Sequence, residues 1–251
     1  LDPLRQWAQA AKSGGSQIWM QISHPGRQCT RLSNTHPLAP SPVQLKLGGL
    51  FGQPQAMTED DIRTAIAGYA RVAAGAKRAG FTGVQVHGAH GYLLSQFLSP
   101  RTNQRDDEFG GSYENRMRLA LEIVKAVRAQ VGEHFINIFR LSMLDLVEGG
   151  NEWHEVVTMA KALEKAGVTL INTGIGWHEA RVPTIATSVP RAAFTWITER
   201  MKKEVKLPLI TTNRINTPEV ANQVIADGQS DLVSMARPFL ADPEFMKKGD
   251  E

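Results

Sequence analysis

The feature that most restricts this chain is an alternation, kept up along its 251 residues, of short apolar β-rich runs with longer amphipathic ones. The short runs read as strands at residues 17–23 (QIWMQIS), 83–87 (GVQVH), 136–141 (INIFRL), 169–173 (TLINT), 208–212 (PLITT) and 231–236 (DLVSMA). They are nearly continuously apolar, the pattern of strands buried on both faces. The long runs read as helices. Residues 58–79 open on Thr-Glu-Asp-Asp, an N-cap with an acidic first turn. Residues 113–131 and 151–166 close on Gly132 and Gly167. Thr217-Pro218 opens another helix with a cap and an N1 proline. Residues 37–54, rich in proline and glycine, read as a loop excursion with a small hairpin.

Strict β–α alternation implies a parallel α/β sheet. Two architectures compete, the eight-fold barrel and the open doubly wound sheet. No G-x-G-x-x-G follows an early strand, which weakens the dinucleotide-binding form of the second. A barrel predicts chemistry at the C-terminal ends of many strands and a phosphate site after the last two. The strand ends carry it. The first holds Gln21 and runs into His24-Pro25-Gly26-Arg27; the second delivers His87, His90 and Tyr92; the third carries Arg140. The fourth gives Gly174, Gly176, Trp177 and His178, and the last two end in Thr212-Asn213-Arg214 and Ala236-Arg237-Pro238. Arg214 and Arg237 stand where barrels hold phosphate, and a guanidinium fork matches phosphate oxygens. Taken singly, each arginine is more often a solvated surface group or a helix-capping ion pair; taken together, in that location, the two favour phosphate.

Composition narrows the classes. The net charge is +3 and no Lys/Arg block exceeds a pair, so nucleic acid is not an expected partner. Cys29 stands alone, which excludes an intramolecular disulfide or a cysteine-held cluster and fits a reducing, cytoplasmic compartment. No apolar run approaches the ~20 residues of a membrane span, and no signal peptide is visible. His87 and His90 have no third ligand at matching spacing, so no metal is expected.

Residues 86–118, VHGAHGYLLSQFLSPRTNQRDDEFGGSYENRMR, resemble the signature of the Old Yellow Enzyme family of FMN-dependent ene-reductases. QISHPGR resembles a strand segment of the same family, and the similarity covers essentially the whole chain. FRLSMLDLVE, NTGIGWHEARVPTIAT, TTNRIN and SMARPFLADPEF are similar to one branch, the bacterial 2,4-dienoyl-CoA reductases. The resemblance implies a TIM (β/α)8 barrel, with residues 1–251 as a single FMN-binding domain. It implies hydride transfer from NAD(P)H through FMN to an activated C=C bond of a small enone or enoyl thioester, both reactants using one flavin face in turn.

The same resemblance assigns roles. Gln21 would meet the pyrimidine edge of the flavin, and Arg140 its N1 and O2. Asn213, Arg214, Ala236 and Arg237 would also hold the cofactor. His87 and His90 would both donate to the substrate carbonyl oxygen, with Tyr92 giving a proton to the α-carbon. In the dienoyl-CoA branch a tyrosine instead works with a histidine of the GWHEAR segment. This chain has both sets, since Tyr92 and His178 are also present. A third reading is a catalytically silent barrel remnant that binds a phosphorylated ligand through Arg214 and Arg237. Homo-oligomer formation stays open. The segment Arg101-Thr102-Asn103 and Gly110-Gly111 through Arg118 reads as structural, and Trp177 as pocket wall or packing.

Six strands are legible where the family has eight. The first two are expected ahead of Leu1, consistent with no Met before Met20, and the last helix is expected to be cut near Asp250-Glu251. The iron–sulfur and FAD modules of the dienoyl-CoA branch are absent from these residues. An open arc of six strands is expected to bind FMN weakly.

Overall fold

The structure, a computed structural model, describes the backbone of residues 1–250 and the side chains of residues 1–249. The expected helix cut at Asp250-Glu251 therefore lies at and outside the limit of the described residues.

The strands are β1 (Trp19–Ile22), β2 (Leu38–Ala39), β3 (Gln55–Ala56), β4 (Gly83–Gly88), β5 (Ile136–Leu144), β6 (Leu170–Ile175), β7 (Leu209–Thr211) and β8 (Leu232–Val233). The helices are α1 (Asp2–Lys12), α2 (Glu59–Arg78), α3 (Leu93–Leu98), α4 (Tyr113–Val131), α5 (Trp153–Lys165), α6 (Thr195–Lys202), α7 (Pro218–Ala226), α8 (Arg237–Ala241) and α9 (Phe245–Asp250). Six strands form one parallel sheet in the order β1-β4-β5-β6-β7-β8. A doubly wound sheet reverses its strand order at a switch point; this one never does. It is an open arc of a (β/α)8 barrel, with β1 and β8 at its edges.

Local chemistry explains the long helices. Thr58 and Asp61 form a reciprocal capping box at the start of α2. Ser112 caps α4, which ends at Gly132 with φ 76°, and Thr217 caps α7 ahead of Pro218. The apolar sides of α2, α4 and α5 pack on the outer face of the sheet, where Ile62, Leu119, Ile123 and Met159 meet Val84, Val86, Phe139 and Ile171.

The structure departs from the sequence reading in three places. First, the strands are not apolar on both faces. Alternation sends Val84 and Val86 outward to the helices and Gln85 and His87 inward, and it repeats with Phe139 and Leu141 against Arg140. The inner face therefore carries Gln85, His87 and Arg140, with Ile138 among them. Secondly, the excursion holds no hairpin, because β2 and β3 pair in parallel. The 15 residues between them let the chain return in its original direction, with one antiparallel bridge at Thr30 and Phe51. Thirdly, the histidine-rich turn runs into α3, a helix absent from the sequence reading, whose six residues are all buried. The last strand is also shorter than residues 231–236 predict.

Candidate active site

The inner face carries a row of amides. Asn172 on β6 donates through Nδ2 to Oε1 of Gln85 at 2.8 Å, and Gln85 on β4 donates through Nε2 to Oε1 of Gln21 at 2.7 Å. Each amide has both a donor and an acceptor, so the row fixes the orientation of the next member. It ends at Gln21 on edge strand β1, whose Nε2 has no hydrogen bond among the described residues.

Gln21 opens onto a cavity of about 1030 Å³ at the C-terminal rim of the sheet. All ten residues singled out above line it: Gln21, His87, His90, Tyr92 and Arg140 from the first three main strands and their ends, and His178, Asn213, Arg214, Ala236 and Arg237 from the last three. Arg140 stands beside His87 in the β4–β5 register. Its guanidinium makes no hydrogen bond or ion pair among the described residues, and its Nε is buried without a partner. Burial lowers its pKa, with the nearby Tyr92 opposing that effect. A largely desolvated cation with no protein anion is half of an ion pair.

Three imidazoles and a phenol stand above it. The rings of His87 and His90 lie 5.4 Å apart edge to face, Tyr92 lies 4.9 Å from His87 and 5.1 Å from His178, and His178 stacks at 5.8 Å on His90. The turn that gathers them is strained: His90 is left-handed with φ 61°, and a Cβ on Gly91 would come within 2.5 Å of the Gln28 amide. Burial, then repulsion from neighbouring cationic groups, holds His87 down at about 3. Burial and Arg140 hold His90 at about 4. Burial and Arg140 also lower His178. The three imidazoles are neutral at neutral pH.

Backbone bonds fix the tautomers. The Ala89 N–H donates to His87 Nδ1 at 3.2 Å, so the ring proton of neutral His87 sits on Nε2. His90 Nδ1 lies 2.9 Å from the Gly176 carbonyl oxygen, which can only accept, so neutral His90 offers a lone pair at Nε2. The pair thus presents one donor and one acceptor, where the sequence reading expects two donors. His178 Nδ1 is held at 2.6 Å by Gln28 Oε1, and Gln28 Nε2 donates to the His90 carbonyl. The Tyr92 hydroxyl has no hydrogen bond among the described residues.

At the far end, residues 182–185 line the cavity. Arg214 donates from Nε to the Val189 carbonyl at 2.8 Å, Arg237 from Nη1 to that of Ile185 at 3.0 Å, and Asn213 from Nδ2 to that of Thr184 at 3.3 Å. Asn213 and Arg214 are both left-handed. Part of each guanidinium fork is therefore used within the protein.

Sequence reasoning missed Gln85, Asn172 and Gln28. The first two left a signal, a lone amide at an alternate position in GVQVH and in LINTG; Gln28 left none. Trp177 is both wall and packing: it lines the cavity, is buried, and donates from Nε1 to Asp145 Oδ1 at 2.8 Å. Within Arg101-Thr102-Asn103, Asn103 is a structural tie, its Nδ2 donating to the carbonyls of Phe97 and Phe109 at 2.7 Å each.

Known proteins resemble this chain in sequence and in fold. An NADH oxidase of Thermoanaerobacter brockii is 42% identical over 248 residues, covering 97% of this chain and 38% of that protein. A metal reductase of Desulforamulus reducens is 40% identical over 98% of this chain and 36% of its own length. The chain thus spans under two-fifths of the length of these curated relatives. Among solved structures, 2-naphthoyl-CoA reductase in complex with 2-naphthoyl-CoA superposes with a TM-score of 0.94 at 32% identity, over 98% of this chain and 39% of that one. An old yellow enzyme homologue from Zymomonas mobilis superposes with a TM-score of 0.80 at 27% identity, over 98% and 71%. The family model described as NADH:flavin oxidoreductase / NADH oxidase matches residues 1–251, and the chain belongs to that family.

Proposed function

We propose that residues 1–251 form one FMN-binding barrel domain of an oxidoreductase that moves hydride from NAD(P)H to a C=C bond conjugated with a carbonyl. One observation carries this reading. A single cavity holds a desolvated guanidinium without an anion, a free amide donor, a fixed imidazole donor and a free phenol.

The residues fit FMN. Arg140 would face the part of the ring where negative charge grows, Gln21 its mixed donor–acceptor edge, and Asn213, Arg214, Ala236 and Arg237 its phosphate end. When bound, FMN supplies the hydride chemistry that no side chain can. His87 Nε2–H donates to the substrate carbonyl oxygen and stabilises its developing charge. His90 becomes a second donor only on protonation, which burial and Arg140 oppose. Tyr92 passes its proton to the α-carbon. The closeness of Tyr92 and His178 favours a second reading, an enoyl or dienoyl thioester as substrate.

The test is an FMN titration of the full-length protein followed by turnover assays. An oxidised-flavin spectrum perturbed by the protein and turnover of a cyclic enone support the first reading. Turnover of a dienoyl thioester alone moves the assignment to the second. Absence of flavin binding leaves the phosphate-binding remnant.

A further inference from the structure

A second cavity, of about 330 Å³, is lined by Arg27, Val43, Gln44, Lys46, Arg101 and Glu179. It lies against the first. Pro25 lines the large cavity and Arg27 the small one; His178 and Ala180 line the large one and Glu179, between them, the small one. The two spaces therefore share a wall one segment thick.

The charges of this second space do not balance. Glu179 is its sole carboxylate among the described residues, and it is bridged by Arg27 and by Arg101, whose Nε lies at 3.3 Å. Lys46 is exposed and has no partner among the described residues. Three cations thus face one anion. Arg27 is only 3% exposed, gives one nitrogen to Glu179 and another to the Val43 carbonyl at 3.3 Å, and keeps a buried Nε with no partner. A purely structural ion pair needs one cation, and buried cationic donors left without an acceptor are costly. A phosphate offers oxygens on several sides to a set of arginine forks and a lysine.

We propose that this second cavity is a subsite for the phosphate-bearing tail of a reactant whose reacting end occupies the large cavity. This rests on the function proposed above for where the reacting end lies. Two reactants carry such a tail, the nicotinamide dinucleotide and a phosphorylated carrier thioester, and they share the chemistry.

The test uses the FMN-supplied full-length protein and the variants Lys46→Glu and Arg101→Gln. Each variant lowers kcat/KM about tenfold, through KM, for the reactant whose tail is bound. A benzyl dihydronicotinamide, a short N-acetylcysteamine thioester and a cyclic enone, which all lack phosphate, turn over as in the wild type. A loss confined to NAD(P)H assigns the tail to the donor; one confined to the coenzyme A thioester assigns it to the acceptor. Equal losses with and without phosphate, or no loss, overturn the proposal. Calorimetric titration with inorganic pyrophosphate at low salt, with FMN in excess, is independent of turnover. Binding lost in Lys46→Glu and kept in Lys125→Glu, at an exposed site on α4 that lines neither cavity, supports the subsite even where no alkene is reduced. Binding that survives Lys46→Glu contradicts it.

Discussion

His87 acquires its direction from one backbone bond. Because the Ala89 N–H occupies Nδ1, the ring can only donate from Nε2, and a neutral donor fixed in a dry site needs no reorganisation as charge develops. His87→Ala is therefore expected to lose about 3 kcal/mol of transition-state stabilisation in alkene reduction, as for removal of one oxyanion donor. Stopped-flow measurement of the two half-reactions checks this; unchanged alkene reduction excludes the role. Tyr92→Phe slows alkene reduction while leaving flavin reduction by NAD(P)H intact, and equal slowing of both marks a structural tyrosine. Residue identities were legible in the sequence because polar groups recur where apolar strands end. The tautomers were not, since they depend on the Ala89 amide and the Gly176 carbonyl, two backbone groups with no sequence signature.

Among the elements, the capped helices α2, α4 and α7 are readable because their caps are local: a side chain answers an amide three residues on. Helix α3 is not, because six residues are too few to show a period and its stability comes from complete burial. The loop after it is held by Asn103, which satisfies two carbonyls at once. Asn103→Ala leaves both buried acceptors unpaired and is expected to destabilise the fold by about 2–6 kcal/mol, at about 1–3 kcal/mol for each. Denaturant unfolding measures it, and a change under about 0.5 kcal/mol, the range of a neutral surface substitution, contradicts the tie. The amide row on the inner face was hidden for a related reason. Two amides among apolar neighbours are inconspicuous until the sheet places them side by side with Gln21.

For the whole molecule, sequential strand order brings residues as far apart as Gln21 and Arg237 to one rim. Gathering imidazoles there has a cost in acid. His87 and His90 are held at about 3 and about 4, below the usual 6.5, chiefly by burial. The unfolded chain therefore binds more protons than the folded one between those values. Stability is fully present above about pH 6.5 and falls as pH drops toward 4. The melting temperature should decline over that window, and His87→Asn with His90→Asn should flatten the decline; equal slopes in both proteins contradict it. Parallel order was inferable from β–α alternation. The open arc was inferable too, from six legible strands set against the eight that the family resemblance implies.

The central claim is that these strand rims converge on one flavin ring held by Arg140 and Gln21. Fluorescence titration of FMN into this chain, Arg140→Leu and Gln21→Ala tests it most directly. Weak one-to-one quenching is expected, and each substitution weakens it further, about tenfold for Arg140→Leu, the scale of one charge-assisted hydrogen bond. An affinity identical in all three proteins would contradict the claim.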